Sequence, residues 1–308
     1  MFDSPLSSSA YEILAVAWDA DDETLRRAYR LRLRQTHPDT GGDAAQFVLV
    51  QRAWELVGDP AARAAYDRGH GFGQTPSFAP EAPAWRPPAR PADTRPRARS
   101  LGHPGGWRRE RYLALMREWA GRGVELADPY DPALVRSAPR ELRRLLADAL
   151  AEEATARIVA DLGMGYTVWH DLAADPRDPE AKVDHVVLGP SGLYAVLSED
   201  FGAPVRVRRG ELVGDAVAGA PIAGLVACTR AVARTARVRF SGALVVLPDD
   251  DVEAPIAELG KVRGLPVAVV SRSALSTVLR RGMTGAREIG GNELFDVRTR
   301  LQQTVRFV

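Results

Sequence analysis

The chain is 308 residues long, enough for two ordinary domains that each bury a core. Hydrophobic residues make up 45% and charged residues 26%, an ordinary balance for a folded protein, and a net charge of +1 favours no class of partner. Its one cysteine, Cys228, excludes an internal disulfide and a CxxC zinc site. The stretch MFDSPLSSSAYEIL has neither a basic n-region nor a long apolar h-region, and no apolar run reaches the ~20 residues of a membrane span. A cytoplasmic location without membrane attachment is the expectation.

Residues 8–69 read as short helices. The stretch 11–16 is a brief apolar turn after a run of serines. Asp21, Asp22 and Glu23 place acids where the next helix starts, as the helix dipole favours. That helix is predicted over 22–36, with Leu25, Tyr29 and Leu33 on one face and Arg26, Arg27, Arg30 and Arg34 forming a positive strip elsewhere. His37-Pro38-Asp39 follows in a loop, because proline disfavours helix in the residue before it. No nucleophile or second carboxylate accompanies the histidine, so the arrangement suits docking on an acidic partner rather than catalysis. Another helix is predicted over 43–57, with Phe47, Val50, Ala53, Trp54 and Val57 at helical spacing. Gly58-Asp59-Pro60 ends it, and 61–68 forms a last short helix.

These residues resemble a J domain, the DnaJ-type co-chaperone module. The likeness rests on YEIL, LRRAYR, the tripeptide HPD, and F…V…AWELVGDPAARAAYD at workable spacing. It implies that His37, Pro38 and Asp39 contact a DnaK-type heat-shock chaperone and stimulate its ATP hydrolysis. Arg26, Tyr29 and Arg30 fall where the family's basic helix meets that partner's acidic surface. The chemistry then belongs to the partner, and the effect is allosteric. The chain departs from the family pattern in the order of Leu31 and Arg32, at Arg34, and at Thr36 before the histidine. It also lacks a cysteine-rich zinc module, and only GFG at 71–73 resembles a glycine-phenylalanine linker.

Residues 70–106 carry eight prolines and little apolar periodicity, which reads as a linker, extended where prolines cluster. Eight arginines between 86 and 111 make this region locally basic; the reading is a solvated tether, with an arm for nucleic acid as the alternative. An amphipathic helix over 107–122, with Tyr112, Leu115, Met116 and Trp119 on one face, is expected to pack on the second domain. A helix from about 137 to 163 leads into strand-like runs at 166–170, 182–188 and 193–197. Gly189-Pro190-Ser191-Gly192 joins the last two as a hairpin. A short strand near 205–208, a helix over 218–234, strands at 242–247 and 266–270 and a helix over 273–281 complete an α/β or α+β sheet domain.

Strand alternation sends Asp184 to the face opposite Val183 and His185, and Ser198, Glu199 and Asp200 follow on the hairpin partner. Acids on paired strands with a nearby cation are how magnesium nucleases orient water. Residues 140–281 resemble the nuclease-related NERD domain, a branch of the restriction-endonuclease-like fold, in AEEATARIVADL, GYTVWHDL, VDHVVLGPSGLYAVLSED and RFSGALVVLP. The likeness implies catalytic acids at Glu152 and Asp184 and an acid-x-Lys at the end of the second hairpin strand. Leu197 stands at that acid's position and Glu199 at the lysine's. A rearranged site from Glu152, Asp184 and Glu199, with magnesium as cofactor only in that case, is the alternative to a degenerate domain that binds or scaffolds. The degenerate domain, with no catalysis, no cofactor and no metal, is the reading adopted, and Asp184 is then a solvated or locally bonded acid. His170 and His185 read as strand-end or turn residues, Ser191 and Gly192 as turn chemistry, and Asp249-Asp250-Asp251 as a loop capping the next helix. The expected organisation is a multidomain chain: a small all-α J domain over 1–69, the linker 70–106, an accessory helix and connection over 107–137, and an α/β restriction-endonuclease-like domain with a mixed sheet flanked by helices over 138–308. Its expected partners are a DnaK-type ATPase and, through the C-terminal domain, a client protein or nucleic acid.

Overall fold

The computed structural model describes residues 4–73 and 96–308. Most of the expected linker, residues 74–95, lies outside the described residues. The described chain divides into two compact units, one holding 4–73 and 113–143 and the other 96–112 and 144–308.

The first unit is helical: α1 (Ala10–Leu14), α2 (Asp22–Thr36), α3 (Ala44–Val57) and α4 (Pro60–His70), joined by part of α5 (Gly106–Ala120) and by α6 (Pro132–Ser137). Side chains cap the starts as the sequence suggests. Ser9 and Glu12 form a reciprocal capping box on α1, and Asp21, Asp43 and Asp59 each accept from an amide in the first turn of the following helix. The core gathers Tyr11, Leu14, Leu25, Val50, Ala53, Val57 and Tyr66, with Leu33 and Trp54 packed beside them. Two polar hubs lock this core. Tyr66 Oη accepts from Ala10 N at 2.8 Å. Arg63, on α4, donates to Tyr11 Oη, Asp22 and the carbonyls of Trp18 and Ala20, so one guanidinium holds the connection between α1 and α2 against α4. At the far end of α4, Arg136 of α6 donates to the His70 carbonyl at 2.6 Å and lies 4.0 Å from the centroid of the Phe72 ring.

The second unit is built on seven strands: β1 (Arg99–Leu101), β2 (Thr167–Asp175), β3 (Asp178–Gly189), β4 (Gly192–Ser198), β7 (Gly242–Leu247), β8 (Ile256–Val262) and β9 (Leu265–Ser271). Their order is β1-β2-β3-β4-β7-β9-β8, mixed in direction, while β5 (Arg206–Arg208) and β6 (Glu211–Val213) pair separately. Both faces of the central strands are covered, which is why they read as continuous apolar runs. Alternate residues Val186, Leu188, Ala195 and Val245 pack with α8 (Pro221–Ala236) and α10 (Gly291–Thr304). The intervening Val187, Tyr194, Val196 and Leu244 pack with α7 (Arg140–Ala160) and α9 (Leu275–Arg281). The mixed sheet flanked by helices agrees with the sequence expectation at that level of detail.

The hairpin of β3 and β4 turns where the glycines predict, with Gly189 opposite Gly192. A Cβ on Gly192, whose φ is +141°, would lie 2.2 Å from Ser241 Oγ, so side chains are excluded there. Several elements differ from expectation. The stretch read as linker to 106 contains β1, which pairs parallel to β2. Helix α10 has only four large apolar residues, and β8 is an edge strand whose Ile256, Ala257, Leu259 and Val262 do not alternate, with a bulge between Glu258 and Gly260. Asp249–Asp251 forms a single 3-10 turn and a strand follows it rather than a helix; the Asp249 carboxylate instead accepts from Ser273 N at 2.9 Å, just ahead of α9. Among the described residues no helix is long and apolar enough to cross a membrane.

Arg63→Ala removes the bonds that tie the connection between α1 and α2 to α4 and leaves two carbonyls short of a charged donor. A loss of about 3 kcal/mol is expected, read as reduced hydrogen-exchange protection of the α1 and α4 amides in the whole chain, with the sheet amides unchanged.

Candidate functional sites

The loop after α2 is tight and rigid. His37 leaves the helix with extended backbone, and Pro38–Thr40 makes one 3-10 turn. Gly41 N donates to the Pro38 carbonyl and Gly42 N to the His37 carbonyl, both at 3.0 Å. A Cβ on Gly42 would lie 2.3 Å from the Thr36 carbonyl carbon, so the chain can close this turn only with glycine there. His37 Nδ1 accepts from Asp39 N at 3.2 Å, and its ring meets Phe47 edge-on at 5.0 Å. The imidazole is thereby oriented by its own loop and by α3, while the Asp39 side chain is 88% exposed and points to solvent.

Along α2, Arg26, Arg30 and Arg34 recur every four residues on an exposed face. Arg30 Nε donates to the Arg26 carbonyl at 3.3 Å and Arg34 Nε to the Arg30 carbonyl at 3.2 Å, so the stems lie along the helix. Tyr29 is half-buried and stacks on Trp54, with ring centroids 4.5 Å apart and planes within 10°. The residues placed together by the sequence are therefore divided here, the two arginines facing solvent and the tyrosine bracing α2 on α3. The order of Leu31 and Arg32 has a visible result: Leu31 is 51% exposed on α2, whereas Arg32 is half-buried.

In the sheet-bearing unit the charged side chains gather in one buried network. Lys182 Nζ donates to Glu152 Oε1 at 2.7 Å, Asp171 Oδ1 at 2.5 Å and Asp184 Oδ1 at 2.8 Å, and all four residues are buried. Glu152 comes from α7, Asp171 from β2, and Lys182 and Asp184 from β3. The second oxygen of Asp184 accepts from Ser198 N at 2.8 Å. Residues 105–108 close the network from the other side. Gly105 N donates to Glu152 and Gly106 N to Asp171, while Arg108 bridges Glu152 at 2.7 Å and Asp148 at 2.8 Å. Asp171 adopts a left-handed backbone with φ +55°, a cost of about 1–2 kcal/mol that its bonds to Lys182 and Gly106 offset.

Glu199 does not join Glu152 and Asp184, which corrects the trio offered as the alternative to a degenerate site. Its carboxylate pairs instead with Arg144, which also holds Asp148. Of the two readings of Asp184, solvated or locally bonded, the structure has the second: it is fully buried and held by Lys182 and the Ser198 amide. Asp171 and Lys182 complete the cluster in place of the acid and lysine expected on β4. His170 and His185 lie within the paired strands, directly opposite each other, rather than at strand ends. Their Nδ1 atoms are 2.7 Å apart, and the chain of polar contacts continues from Ser100 through both rings to Ser198 and Thr155. Burial lowers His170 to about 4 and pushes His185 well below the usual histidine range.

The carboxylates Asp148, Glu152, Asp171, Asp184 and Glu199 outnumber the cations Arg108, Arg144 and Lys182. Burial, reinforced by the neighbouring Asp184 charge, raises Glu152 to about 8; burial and Asp148 raise Glu199 to about 8. Asp184 is held below the usual carboxylate range because Lys182 and Arg108 outweigh its burial. The oxygens of Glu152, Asp171 and Asp184 lie within 4.8 Å of one another, a donor set that by its chemistry suits a hard divalent cation. As folded, the three acids converge on the Lys182 ammonium, so the cation they surround is one of the chain's own side chains.

Comparison with known proteins bears on the helical unit. The DnaJ domain family model matches residues 9–67. Over 66 residues the chain is 41% identical to the chaperone protein DnaJ 1 of Cutibacterium acnes, covering 21% of this chain and 17% of that protein. It is 49% identical over 61 residues to the chaperone protein DnaJ of Thermosynechococcus vestitus, 19% of this chain and 16% of the relative. With the DnaJ of Maricaulis maris it shares 49% over 65 residues, 20% and 16% of the two chains. Residues 9–67 form a J domain. The chain thus spans about a sixth of the length of these relatives, and the likeness covers the J domain alone. Within the J domain, the hub at Arg63 and the stack of Tyr29 on Trp54 are the features that sequence reasoning missed, although helical spacing already puts Tyr29 beside Leu25 and Leu33.

Two measurements check the buried network. Lys182→Met leaves three carboxylates converging without their central cation, and is expected to cost about 3–5 kcal/mol in denaturant unfolding of the sheet-bearing unit. The pH dependence follows from the shifted groups. Glu152 and Glu199, raised from 4.5 to about 8, hold protons in the fold that the unfolded chain releases, so their contribution is full below about 4.5 and lost as pH rises to about 8. His170, lowered from 6.5 to about 4, acts in the opposite sense, losing its contribution as pH falls below 6.5. Between pH 6.5 and 8 the carboxylates dominate the change, so Tm is expected to fall across that window, and Glu199→Gln to flatten the slope.

Proposed function

We propose that this chain is a J-domain co-chaperone whose His37-Pro38-Asp39 loop and adjoining face of Arg26 and Arg30 engage a DnaK-type chaperone and stimulate its ATPase. The observation that carries this reading is the loop itself. It stands at the end of the basic face of a J domain, with His37 oriented by Phe47 and Asp39 turned to solvent. Exposed arginines supply long-range attraction that salt weakens, and the rigid turn supplies the short-range contact. Tyr29, half-buried and stacked on Trp54, braces α2 and offers its remaining exposed edge to the same partner.

In this proposal the sheet-bearing part is a NERD-like, nuclease-related domain that selects a client protein or nucleic acid and does no chemistry. Support comes from the order of α7, the meander of β2, β3 and β4, α8 and β7, and from Glu152 and Asp184 meeting in its interior. The functional division follows the sequence: a J domain to 69, a linker to 106, a connecting helix to 137, and the nuclease-related domain beyond it, with β1 and Arg108 contributed from upstream. A metal-dependent nuclease tethered to chaperone recruitment is the second reading. It is favoured by three converging carboxylates with a lysine among them, where the expected acid-x-Lys has been replaced by Lys182-x-Asp184 on the preceding strand. Against it, Lys182 and Arg108 already bond the acids that would hold the metal.

ATP turnover by a DnaK-type chaperone tests the co-chaperone reading, and plasmid cleavage separates the two accounts of the sheet-bearing part. The whole chain is expected to stimulate it several-fold, and His37→Gln to abolish the stimulation without changing the melting temperature; an undiminished His37→Gln sinks the co-chaperone reading. Incubated with magnesium or manganese, plasmid DNA is expected to stay intact. Cleavage that disappears in Asp184→Ala would establish the second reading instead.

A further inference from the structure

A second polar site lies at the β1 edge of the sheet, on the face that carries α10. A cavity of about 280 Å³ is lined by Arg97, Arg99, Met164, Thr167 and Arg298. Its construction follows from register. Arg99 on β1 is paired with Thr167, the first residue of β2. Strand alternation keeps Arg97 and Arg99 on the side of Leu101, which packs with the α8 and α10 core. Arg298 reaches the same place from α10, next to buried Val297.

None of the lining residues is acidic, and among the described residues Arg97, Arg99 and Arg298 have no ion-pair partner. Elsewhere in this unit buried or half-buried arginines are satisfied, Arg108 by Glu152 and Asp148 and Arg144 by Asp148 and Glu199. Arg298 Nε, by contrast, is buried and makes no hydrogen bond. An unmatched buried donor is costly, and more so on a charged group, unless an acceptor is supplied. Three arginines line this one recess, Arg97 and Arg99 exposed and Arg298 half-buried beside the Phe295 ring, and guanidinium is the group that takes up tetrahedral oxyanions bidentately. Met164, 76% exposed at the rim, adds a soft apolar wall that a lone inorganic ion would not use. The volume is close to the lower end, ~300 Å³, of pockets that take small organic ligands.

The geometry points to a phosphate-ester site here, with Arg97, Arg99 and Arg298 receiving the phosphate of a nucleotide and Met164 contacting its base or sugar. The same chemistry could be presented by a free nucleotide or by a nucleotide within a strand. The site stands apart from the network of Glu152 and Asp184 and does not depend on whether that network is catalytic. It deepens the nuclease-related reading only if a strand proves to be the source.

Fluorescence anisotropy on the whole chain, at about 50 mM salt, tests it with two probes: labelled adenosine monophosphate and a labelled ten-residue oligothymidylate. Saturable binding of at least one probe is expected, weakened at least tenfold by Arg298→Ala and by Arg99→Glu, with unchanged melting curves. Arg298→Lys, which keeps the charge and loses the fork, is expected to weaken it several-fold as well. Lys261→Ala removes one positive charge from β8, at the opposite edge of the sheet, and is expected to leave binding intact. Preference for the mononucleotide assigns a free ligand, and preference for the oligonucleotide assigns a strand; both uphold the site. The proposal is overturned if neither probe binds, if Arg298→Ala and Arg99→Glu bind as the parent does, or if Lys261→Ala loses as much as they do.

Discussion

The ammonium of Lys182 is bonded to carboxylates from α7, β2 and β3, and much of the sheet-bearing unit is organised around that one charge. A lone buried ion of either sign would be several kilocalories per mole out of balance, so none of the four can be placed without the others. The constraint spreads outward. Glu152 draws in the Gly105 amide and Arg108, Arg108 draws in Asp148, and Asp148 shares Arg144 with Glu199. Such a network specifies register, because a one-residue slip of β3 would exchange Lys182 and Asp184 for Val183 and His185. Hydrophobic packing on both faces supplies most of the burial, and the ionic centre selects which packing is adopted.

The two units use charge in opposite ways. In the J domain, arginines are held at the surface with their stems along α2, and the Asp39 carboxylate faces water. These groups keep their hydration until a partner removes it, which suits reversible docking. In the other unit the charges are already desolvated and already matched. Any ligand aimed at the acids there would have to displace an internal cation, whereas the arginines at the β1 edge need displace only solvent.

The helical unit is legible in the sequence because its elements depend on local signals. The acids and serines that cap helices, the proline after His37 and the four-residue spacing of Leu25, Tyr29 and Leu33 all act within one or two turns. The central strands and the glycine-flanked hairpin are legible for similar reasons. The network is only half legible. Glu152 and Asp184 can be named from the chain, but strand alternation places Glu199 without saying anything about the Arg144 that captures it. Asp171 is silent because no pattern within β2 announces its left-handed backbone. Lys182 is hidden because nothing in the alternation of β3 marks a lysine as buried, and its three acids come from α7, β2 and β3. Strand β1 is only three residues long, β8 breaks its alternation at a bulge, and α10 has only four large apolar residues, so none of them shows a period.

The contact between α4 and α6 bears on how the J domain can be handled in isolation. Arg136 reaches the His70 carbonyl and covers the Phe72 ring, and the backbone of Ala133 comes so near Gly71 that a Cβ there would lie 2.7 Å from its nitrogen. The module defined by homology stops at 67, about sixty residues before the helix that finishes it. A fragment cut at the homology boundary would lose Phe72 itself, which packs on the Tyr11 and Tyr66 rings, and one extended to 73 would keep Phe72 without the Arg136 that covers it. The boundary of similarity and the boundary of the cooperative unit are thus different places, and a shortened domain would carry an adhesive end of the experimenter's own making.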